Sequence, residues 1–324
     1  MDIEILLFLQ TLRTQTITWL SEVAFVFDQL GFGVFAPLGF CIVIYWCCNK
    51  KIGQKLFLSF LFSLYLCNFI KCIACINRPW IREPRIKPHP RKLNTATGYS
   101  FPSAHSAAAT ANYGTLEREY NKTNIIFHFI CPIIILGVML ARMILGYHTP
   151  QDVLCGFVIG FLSIFAASWI VEHSAQGRKA WIVPLSFLVI ALATTYYLEV
   201  KSYPMNYVNG KLVVDPLKMR SDAQAATLAL FVYLVTSAFE RRFVNFTPPT
   251  SILGKILVFV PGFAMVGVIM KFGLSYLSKY LSHSWAFYVM WCVLIVFIVF
   301  IWPAFFCHFT KSGTNKKGKR SKKH

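Results

Sequence analysis

Charge is scarce in this chain, and negative charge is the scarcest. The 324 residues include only 13 Asp and Glu, and charged residues of both signs make up 14% of the sequence. Soluble domains contain about 25% charged residues. Hydrophobic residues reach 56%, and several apolar runs are long enough to cross a bilayer, which takes roughly 20 residues. The composition therefore predicts a polytopic helical membrane protein and disfavours a soluble protein with many core helices.

Other features are missing as well. No long polar linker divides the chain, and no internal repeat indicates a solenoid or a transporter built from duplicated halves. The ten cysteines show no paired spacing in polar loops, and the Cys72-x-x-Cys75 motif has no second pair. We therefore expect small apolar packing residues rather than a disulfide framework. Asp2, Glu4 and Arg13 break the order of a secretory signal, so we expect no cleavable signal peptide.

Apolar runs predict an all-α fold with about nine membrane crossings. The first run, residues 3–27, is interrupted by polar residues. It is expected either to form two short amphipathic helices at the membrane interface or to be a poor first span. The predicted crossings cover residues 33–48, 56–76, 102–116, 124–145, 151–171, 181–199, 223–239, 252–276 and 284–307.

The same pattern divides the chain into four parts. They are an interfacial N-terminal segment (1–32), a transmembrane core (33–175), additional transmembrane helices (176–310) and a basic tail (311–324). The tail is expected to be either a solvated topological anchor or a contact with anionic lipid.

Positive charge, formally +19, needs an explanation. We see no nucleic-acid-binding module, so nucleic acid is not an expected partner. If the loop 77–101 lies outside, most other Lys and Arg residues fall inside together with the tail, as the positive-inside rule requires. The loop itself breaks that rule, which favours a ligand as the reason for its charge. Its Arg82, Arg85, Lys87 and Arg91 either steer an anionic head group or form a solvated rim.

His148 stands just before a predicted helix N-terminus. Thr149 and Pro150 are typical of a cap and a first helical position, and Asp152 falls in the first turn. One interpretation is a capping box beside an incidental histidine. The other is that Asp152 holds one nitrogen of His148 and leaves the second nitrogen free to attack. Arg142 is either a snorkelling side chain or a guanidinium that grips two phosphoryl oxygens.

Two further groups have the same double interpretation. Ser103 and Ala104 open a predicted helix whose free N–H groups favour an anion, with His105 as a general acid. The alternative is an ordinary serine cap beside a satisfied histidine. Lys71 and Arg78 are seven residues apart, so a continued helix would place them on one rim, about two turns apart. The alternative is two snorkelling side chains.

Each group alone is a weak signal, but their order is specific. The chain contains Lys-x6-Arg-Pro from Lys71, Pro-Ser-x-His ending at His105, and Arg-x5-His-x3-Asp from Arg142. This order resembles the type 2 phosphatidic acid phosphatase superfamily, which includes lipid phosphate phosphatases, glucose-6-phosphatases and vanadium haloperoxidases. The resemblance covers residues 50–172. It implies a six-helix phosphatase core with its site near the outer face, and the helices after residue 180 lie beyond that core.

The resemblance also implies how phosphate is held. Lys71, Arg78 and Arg142 are implied to grip the phosphate oxygens, and Ser103 and the Ala104 amide are implied to donate to them. The resemblance implies phosphatase chemistry without a metal, so we expect no metal and no other cofactor.

The catalytic roles implied by the resemblance fall on three residues. His148 is implied as the nucleophile that becomes phosphohistidine, His105 as the acid, and Asp152 as the partner of His148. Two positions depart from the family, which usually has Gly where Ala104 stands and Ser where Ala141 stands. A methyl group at Ala104 narrows the site only if the backbone is strained there, and we expect activity to be retained.

We therefore expect an enzyme that hydrolyses a phosphomonoester or pyrophosphate head group of a membrane lipid. The expected location is the cell (plasma) membrane, with the site on the non-cytoplasmic face and the C-terminus in the cytoplasm. A lipid phosphotransferase and a sugar-phosphate phosphatase of the same superfamily remain alternatives. A catalytically silent lipid-binding membrane protein is the alternative from another class, and the intact His148, His105 and Asp152 argue against it because binding needs only the cations.

Overall fold

The structure is a computed structural model that describes residues 2–16, 19–32, 36–91, 98–121, 124–173, 180–208 and 211–308. The predicted tail 311–324 and part of the basic loop, residues 92–97, lie outside the described residues. Within the described ranges the chain is almost entirely helical, as the composition predicts. A small antiparallel hairpin pairs β1 (Tyr207–Val208) with β2 (Lys211–Leu212).

The helices of the described ranges are numbered in chain order. They are α1 (Asp2–Thr11), α2 (Leu20–Phe32), α3 (Ala36–Val43), α4 (Lys50–Ala74), α5 (Pro79–Arg82), α6 (Ala104–Tyr120), α7 (Ile125–Ile144), α8 (Pro150–His173), α9 (Ile182–Val200), α10 (Pro216–Phe239), α11 (Ile252–Leu277) and α12 (His283–Val296). Single π-helical turns follow α1, α3, α10 and α12.

Seven segments among the described residues contain a helix that is long and apolar enough to cross a membrane. They are Lys50–Arg82, Ile125–Ile144, Pro150–His173, Ile182–Val200, Pro216–Val244, Ile252–Leu277 and His283–His308. The other two predicted crossings correspond to shorter helices, the apolar segment Leu38–Cys48 and the 17-residue α6. The fold is thus a polytopic all-α membrane protein.

Two compact units divide the chain. The first contains Met1–Cys41, Gln54–Glu172 and Leu192–Thr227, and it includes every candidate site residue. The second contains Ile42–Gly53, His173–Ala191 and Leu228–His324. Inside the second unit, Trp46 Nε1 donates to Ile298 O at 3.0 Å, and its ring lies 6.3 Å from that of Trp302. The predicted boundary between residues 175 and 176 stays a prediction.

Small residues let α8 rest directly on the backbone of α6. A Cβ atom at Gly156 would lie 2.4 Å from the carbonyl oxygen of Ser103, and one at Gly160 would lie 2.5 Å from that of Ala107. Such close helix packing is typical of membrane proteins. It brings the N-termini of α6 and α8 together, and Ser103 N donates to Asp152 O at 2.9 Å.

The N-terminal segment also contributes to the first unit. Helix α2 packs against α6 and α7, and Tyr113 Oη in α6 donates to Leu30 O at 3.2 Å. Gly137 of α7 faces the ring of Phe27, which a Cβ atom would approach to 2.3 Å. Whether residues 3–27 lie at a membrane interface stays a prediction, but α2 is packed into the helix bundle.

An ion cluster marks one end of this bundle. Lys55, in the first turns of α4, lies 2.6 Å from Glu119 near the end of α6 and 2.7 Å from Glu172 near the end of α8. The opposite ends of the same three helices carry Lys71, His105 and Asp152. The candidate site residues therefore share one end of the first unit.

Candidate active site

Four helix ends meet at the site. Lys71 lies in the last turn of α4, His105 is the second residue of α6, Arg142 lies in the last turn of α7 and Asp152 in the first turn of α8. Lys71, Arg142 and Asp152 are buried, whereas the side chain of His105 is 20% exposed. Buried charges of this kind must be paired or hydrogen-bonded to be tolerated.

Arg78 reaches the site from a loop, and here the expected helix geometry is wrong. Helix α4 ends at Ala74, and Cys75 takes a left-handed conformation with φ +50°. Arg78 is the N-cap residue of the short α5. It therefore does not follow Lys71 on one continuous helix.

The guanidinium of Arg78 is held by two carbonyl groups and faces His148. Nε donates to Gly98 O at 2.8 Å and Nη1 donates to Tyr147 O at 3.0 Å. Nη1 also lies 2.9 Å from His148 Nε2. Arginine can only donate hydrogen bonds, so Nε2 accepts and the ring proton of a neutral His148 is on Nδ1.

Burial and charge keep His148 neutral. Its side chain is buried, and burial followed by the charges of Arg78, Arg142, Lys71 and His105 lowers its pKa well below 6.5. Desolvation and nearby positive charge both disfavour an imidazolium. The ring therefore presents a lone pair on Nε2 at neutral pH, which is what a nucleophile requires.

Asp152 takes part in the predicted capping box and also lies beside His148. It closes a capping box, since Thr149 N donates to Oδ2 at 2.8 Å and Asp152 N donates to Thr149 Oγ1 at 3.4 Å. The same Oδ2 lies 3.4 Å from Nδ1 of His148. One carboxylate oxygen thus faces the protonated nitrogen while the helix cap fixes its direction.

Ser100 is a site residue that sequence reasoning missed. Its Oγ donates to Asp152 Oδ2 at 2.6 Å and lies 3.4 Å from His148 Nδ1. Its carbonyl oxygen, with that of Tyr99, accepts from Lys71 Nζ at 3.0 Å and 2.7 Å. The available signal was a serine directly before the Phe101–Pro102 pair that opens the Pro-Ser-x-His motif.

The N-terminus of α6 has the expected position. Ser103 is its N-cap residue, and its Oγ accepts from Ser106 N at 3.4 Å and from Ser106 Oγ at 3.0 Å. Ala104 follows as the first helical residue. Among the described non-glycine residues only Cys75 and Asn245 have positive φ. The backbone of Ala104 is therefore not left-handed, and its methyl group causes no strain of that kind.

The guanidinium of Arg142 has one nitrogen that donates a hydrogen bond to a carboxylate and one buried nitrogen that donates to none of the described residues. Its Nη1 donates to Asp28 Oδ1, and its guanidinium carbon lies 4.6 Å from the ring centre of Tyr147. Its Nε is buried and has no hydrogen-bond partner among the described residues. An unsatisfied buried donor costs about 1–3 kcal/mol, a cost that a bound anion would remove.

Gly146 shapes the turn that connects Arg142 to His148. It has φ +76°, a left-handed conformation that suits glycine, and a Cβ atom there would lie 3.3 Å from Pro88 Cα. Tyr147 Oη donates to His89 O at 2.7 Å, and His89 N donates to Leu145 O at 2.9 Å. The described part of the basic loop, at Pro88 and His89, therefore packs directly on the segment that presents His148.

Asp28 is the second residue that sequence reasoning missed. It lies in α2, is fully buried, contacts Arg142 and lies 3.8 Å, Oδ1 to Nε2, from His105. A carboxylate inside an apolar run is costly unless it is paired, and this was the signal available in the sequence.

The described part of the basic loop carries paired charges. Its arginines form ion pairs with acidic residues of the N-terminal segment: Arg82–Asp2 at 3.6 Å, Arg85–Glu4 at 3.8 Å and Arg91–Glu22 at 2.8 Å. These side chains are 41%, 63% and 45% exposed. Because these charges are paired and solvated, they favour the interpretation that the loop is a solvated rim over the interpretation that it steers an anionic head group to the site.

Potential metal ligands are not clustered among the described residues. Within the part of the chain that the structure describes, no three His, Cys, Asp or Glu side chains are arranged to hold a metal ion. Three basic side chains, Lys71, Arg78 and Arg142, lie at the site.

Comparison with known proteins matches this site to a family. Residues 53–175 match the model of the PAP2 superfamily, the type 2 phosphatidic acid phosphatases. This segment belongs to the PAP2 superfamily. The match contains Lys71, Arg78, His105, Arg142 and His148 and confirms the resemblance inferred from their order.

Two curated relatives extend the comparison. The chain is 24% identical over 192 residues to a probable sphingosine-1-phosphate phosphatase of Dictyostelium discoideum, covering 54% of this chain and 44% of that protein. It is 24% identical over 244 residues to lipid phosphate phosphatase delta of Arabidopsis thaliana, covering 70% and 56%. The chain thus spans about half the length of these relatives. No solved structure matches it.

Proposed function

We propose that this PAP2 protein is a membrane lipid phosphatase that works through a phosphohistidine intermediate. The observation that carries the proposal is the environment of His148. Arg78 faces Nε2 at 2.9 Å, and Asp152 faces Nδ1 at 3.4 Å. A neutral imidazole whose proton is on the carboxylate side and whose lone pair points at a phosphate-binding cation is arranged for attack on phosphorus.

The first step transfers the phosphoryl group to the enzyme. The Nε2 lone pair of His148 forms a bond to phosphorus as the bond to the lipid oxygen breaks. The electron pair of that bond goes to the departing oxygen, which takes a proton from His105. Asp152 stabilises the positive charge that develops on His148. The second step is attack of water, from which His105 removes a proton, and inorganic phosphate leaves as the bond to Nε2 breaks.

Charge stabilisation comes from the protein itself in this proposal. Lys71, Arg78 and Arg142 face the negative charge of a transferring phosphoryl group, and fixed cations in a buried site are effective for that purpose. The Ser103 hydroxyl and the Ala104 N–H group, at the start of α6, are proposed to donate to the phosphate oxygens, where the helix end adds partial positive charge. We propose that no metal takes part, so activity persists after EDTA treatment and dialysis.

The substrate is proposed to be a lipid phosphate. Both relatives are named as phosphatases of such compounds, a sphingosine 1-phosphate and a lipid phosphate. The seven apolar segments support a substrate that is presented from the bilayer.

The site is proposed to open on the non-cytoplasmic face of the plasma membrane. The ends of α4, α6 and α8 opposite the site lie next to Lys50, Lys51 and Arg118 in the sequence. The positive-inside rule assigns such ends to the cytoplasm, and the basic tail then lies there as well. A tag attached after His324 should become accessible to antibody only when cells are permeabilised.

Purified protein in lipid nanodiscs tests the activity. Phosphate release is measured with sphingosine 1-phosphate, phosphatidate, a polyprenyl diphosphate and glucose 6-phosphate. We expect release from at least one lipid, and its loss in His148→Ala. The matched control is His128→Ala, an exposed histidine of α7 paired with Glu117. No release from any lipid, or full turnover by His148→Ala, would reject the proposal.

Rapid quenching tests the intermediate. With a substrate labelled in the phosphate, the wild type should carry acid-labile label and His148→Ala should carry none. Preference for glucose 6-phosphate would instead identify a sugar-phosphate phosphatase. Transfer of label to an added alcohol in place of water would identify a phosphotransferase, and lipid binding without turnover would identify a silent binding protein.

A further inference from the structure

A carboxylate outside the family-matched residues reaches the site. Asp28 lies in α2, whereas the family match begins at residue 53. It is fully buried, its Oδ1 accepts from Arg142 Nη1, and the same oxygen lies 3.8 Å from His105 Nε2. One oxygen thus faces both a phosphate-binding cation and the imidazole assigned as the acid.

We propose that Asp28 is a positioning residue for His105, holding its ring toward the leaving group and favouring its protonated form. The inference rests on the proposed function, in which His105 is the acid. A carboxylate within a few ångströms of an imidazole favours the charged ring, most strongly where water is scarce. Catalytic contacts in unliganded sites are often long and shorten when substrate binds, so 3.8 Å fits a resting geometry.

Helix α2 lies close to His105 near Asp28. Gly31, one turn after Asp28, has no side chain, and a Cβ atom there would lie 3.6 Å from His105 Cβ and 2.6 Å from Val138. The absence of a side chain at Gly31 lets α2 approach α6 and α7 closely. This approach is what allows the short side chain of Asp28 to reach both His105 and Arg142.

Asp28 keeps its charge throughout the proposed reaction. In the first step the bond from phosphorus to the lipid oxygen breaks, and the proton on His105 moves to that oxygen. Asp28 stabilises the imidazolium before the transfer. In the second step neutral His105 accepts a proton from the attacking water, and Asp28 again stabilises the charged ring that results. The carboxylate therefore promotes the acid form with which each cycle begins.

Leaving groups of different acidity test this role. An alkyl phosphate releases a strongly basic alkoxide and needs the acid, whereas p-nitrophenyl phosphate releases a stable phenolate and needs it much less. The value of kcat/KM for each substrate reports the steps up to release of the alcohol. We expect Asp28→Asn to lower the alkyl-to-aryl ratio of kcat/KM by about tenfold or more, since general acid catalysis contributes about 10²–10⁴-fold.

Two further variants sharpen the result. His105→Asn should lower the same ratio by more, and the double variant should be no worse than His105→Asn, because residues that act through one another are not additive. Glu22→Gln is the matched control, a carboxylate on the same helix that is 62% exposed and paired with Arg91. It should leave the ratio unchanged.

Contrary outcomes are distinct. The inference is rejected if Asp28→Asn lowers kcat/KM for the alkyl and the aryl substrate by the same factor. It is also rejected if the loss in the double variant equals the product of the losses in the two single variants. Either result would mean that Asp28 supports only the fold or Arg142. Asp28→Ser is scored in the same way if the asparagine variant does not fold, and failure of both to give monodisperse protein also rejects the inference. An inactive wild type would instead reject the proposed function.

Discussion

Arg78 Nη1 lies 2.9 Å from Nε2 of His148, so the guanidinium proposed to bind phosphate contacts the nitrogen proposed to attack. The contact fixes the tautomer, because a donor-only group must face an unprotonated nitrogen. Negatively charged phosphate oxygens are stronger acceptors for a guanidinium than a neutral imidazole. Substrate is therefore expected to draw Arg78 away from Nε2 and to free the lone pair next to phosphorus.

Replacing Arg78 by lysine should expose this double role. The planar fork that contacts Gly98, Tyr147 and His148 together cannot be reproduced by an ammonium group. We expect kcat/KM for a lipid phosphate to fall by about 10–160-fold, which corresponds to the roughly 1.5–3 kcal/mol of a charged hydrogen bond. Arg85→Lys, at a 63% exposed position, is the control and should keep wild-type activity. Equal activity of the two variants would contradict the assignment.

The pH dependence of activity should show the low pKa of His148. A protonated imidazole cannot attack, so activity falls as the pH drops through this pKa. Burial and then the charge of Arg78 hold the pKa well below 6.5, so we expect the acid limb of kcat/KM well below that pH. Arg78→Gln removes part of the cause, which raises the pKa and moves the acid limb to higher pH.

Profiles of kcat/KM measure this shift from about pH 8 down to about pH 4, which is below the range of about pH 5–8 in which an unperturbed histidine titrates. The substrate is p-nitrophenyl phosphate, whose own second ionisation is determined separately by phosphorus NMR and divided out. Arg85→Gln serves as the control and should keep the wild-type limb. Coinciding limbs for wild type and Arg78→Gln would show that another group controls the acid side.

Ser100 should contribute through Asp152. Its hydroxyl donates to the carboxylate oxygen that faces Nδ1 of His148, and removing it leaves that oxygen with one partner fewer. We expect Ser100→Ala to lower kcat by about tenfold, the equivalent of about 1.4 kcal/mol, with little change in KM. The measurement is steady-state phosphate release.

The control for Ser100 is a buried serine of α8 that lies away from the site. Ser163 Oγ donates to Ile159 O at 2.7 Å within the helix. Ser163→Ala removes the same hydroxyl chemistry and should leave kcat unchanged. A similar loss in both variants would mean that Ser100 acts on folding and not on the nucleophile.

The motifs identified in the sequence consist of residues that are close together along the chain, and such spacing can be recognised without a structure. The cap at Thr149 and the helix start at Pro150 were predicted correctly, because these features follow one another directly in the sequence. The structure also places Arg78 beside His148, but not on a continuous helix with Lys71 as the sequence predicted. The left-handed Cys75 ends α4 early, and nothing in the residue type marks that conformation, since it is uncommon outside glycine.

Asp28 and Ser100 were missed for a different reason. Each acts across the fold: Asp28 is 114 residues from Arg142, and Ser100 is 52 residues from Asp152. Such contacts depend on how helices pack, which periodicity does not specify. The number of crossings was similarly approximate, since α3 and α6 are too short to be assigned from hydropathy alone.

Packing of α8 on α6 gives a prediction about stability. A methyl group at Gly160 would meet Ala107 O at 2.5 Å and Thr110 Cβ at 2.6 Å. The carbonyl oxygen belongs to a helix backbone and cannot rotate away, so α8 must move outward. We expect Gly160→Ala to destabilise the protein by about 1–3 kcal/mol, the usual cost of overpacking.

Gly267→Ala is the matched comparison for this change. Gly267 lies inside α11, and a Cβ atom there would meet nothing within 4 Å. With space available, the better helix propensity of alanine stabilises by up to about 1 kcal/mol. Thermal unfolding of both variants in one detergent should therefore lower the midpoint for Gly160→Ala and leave it equal or higher for Gly267→Ala. A Gly160→Ala protein as stable as the wild type would show that α6 and α8 do not rely on this close approach to bring Ser103 and Asp152 together.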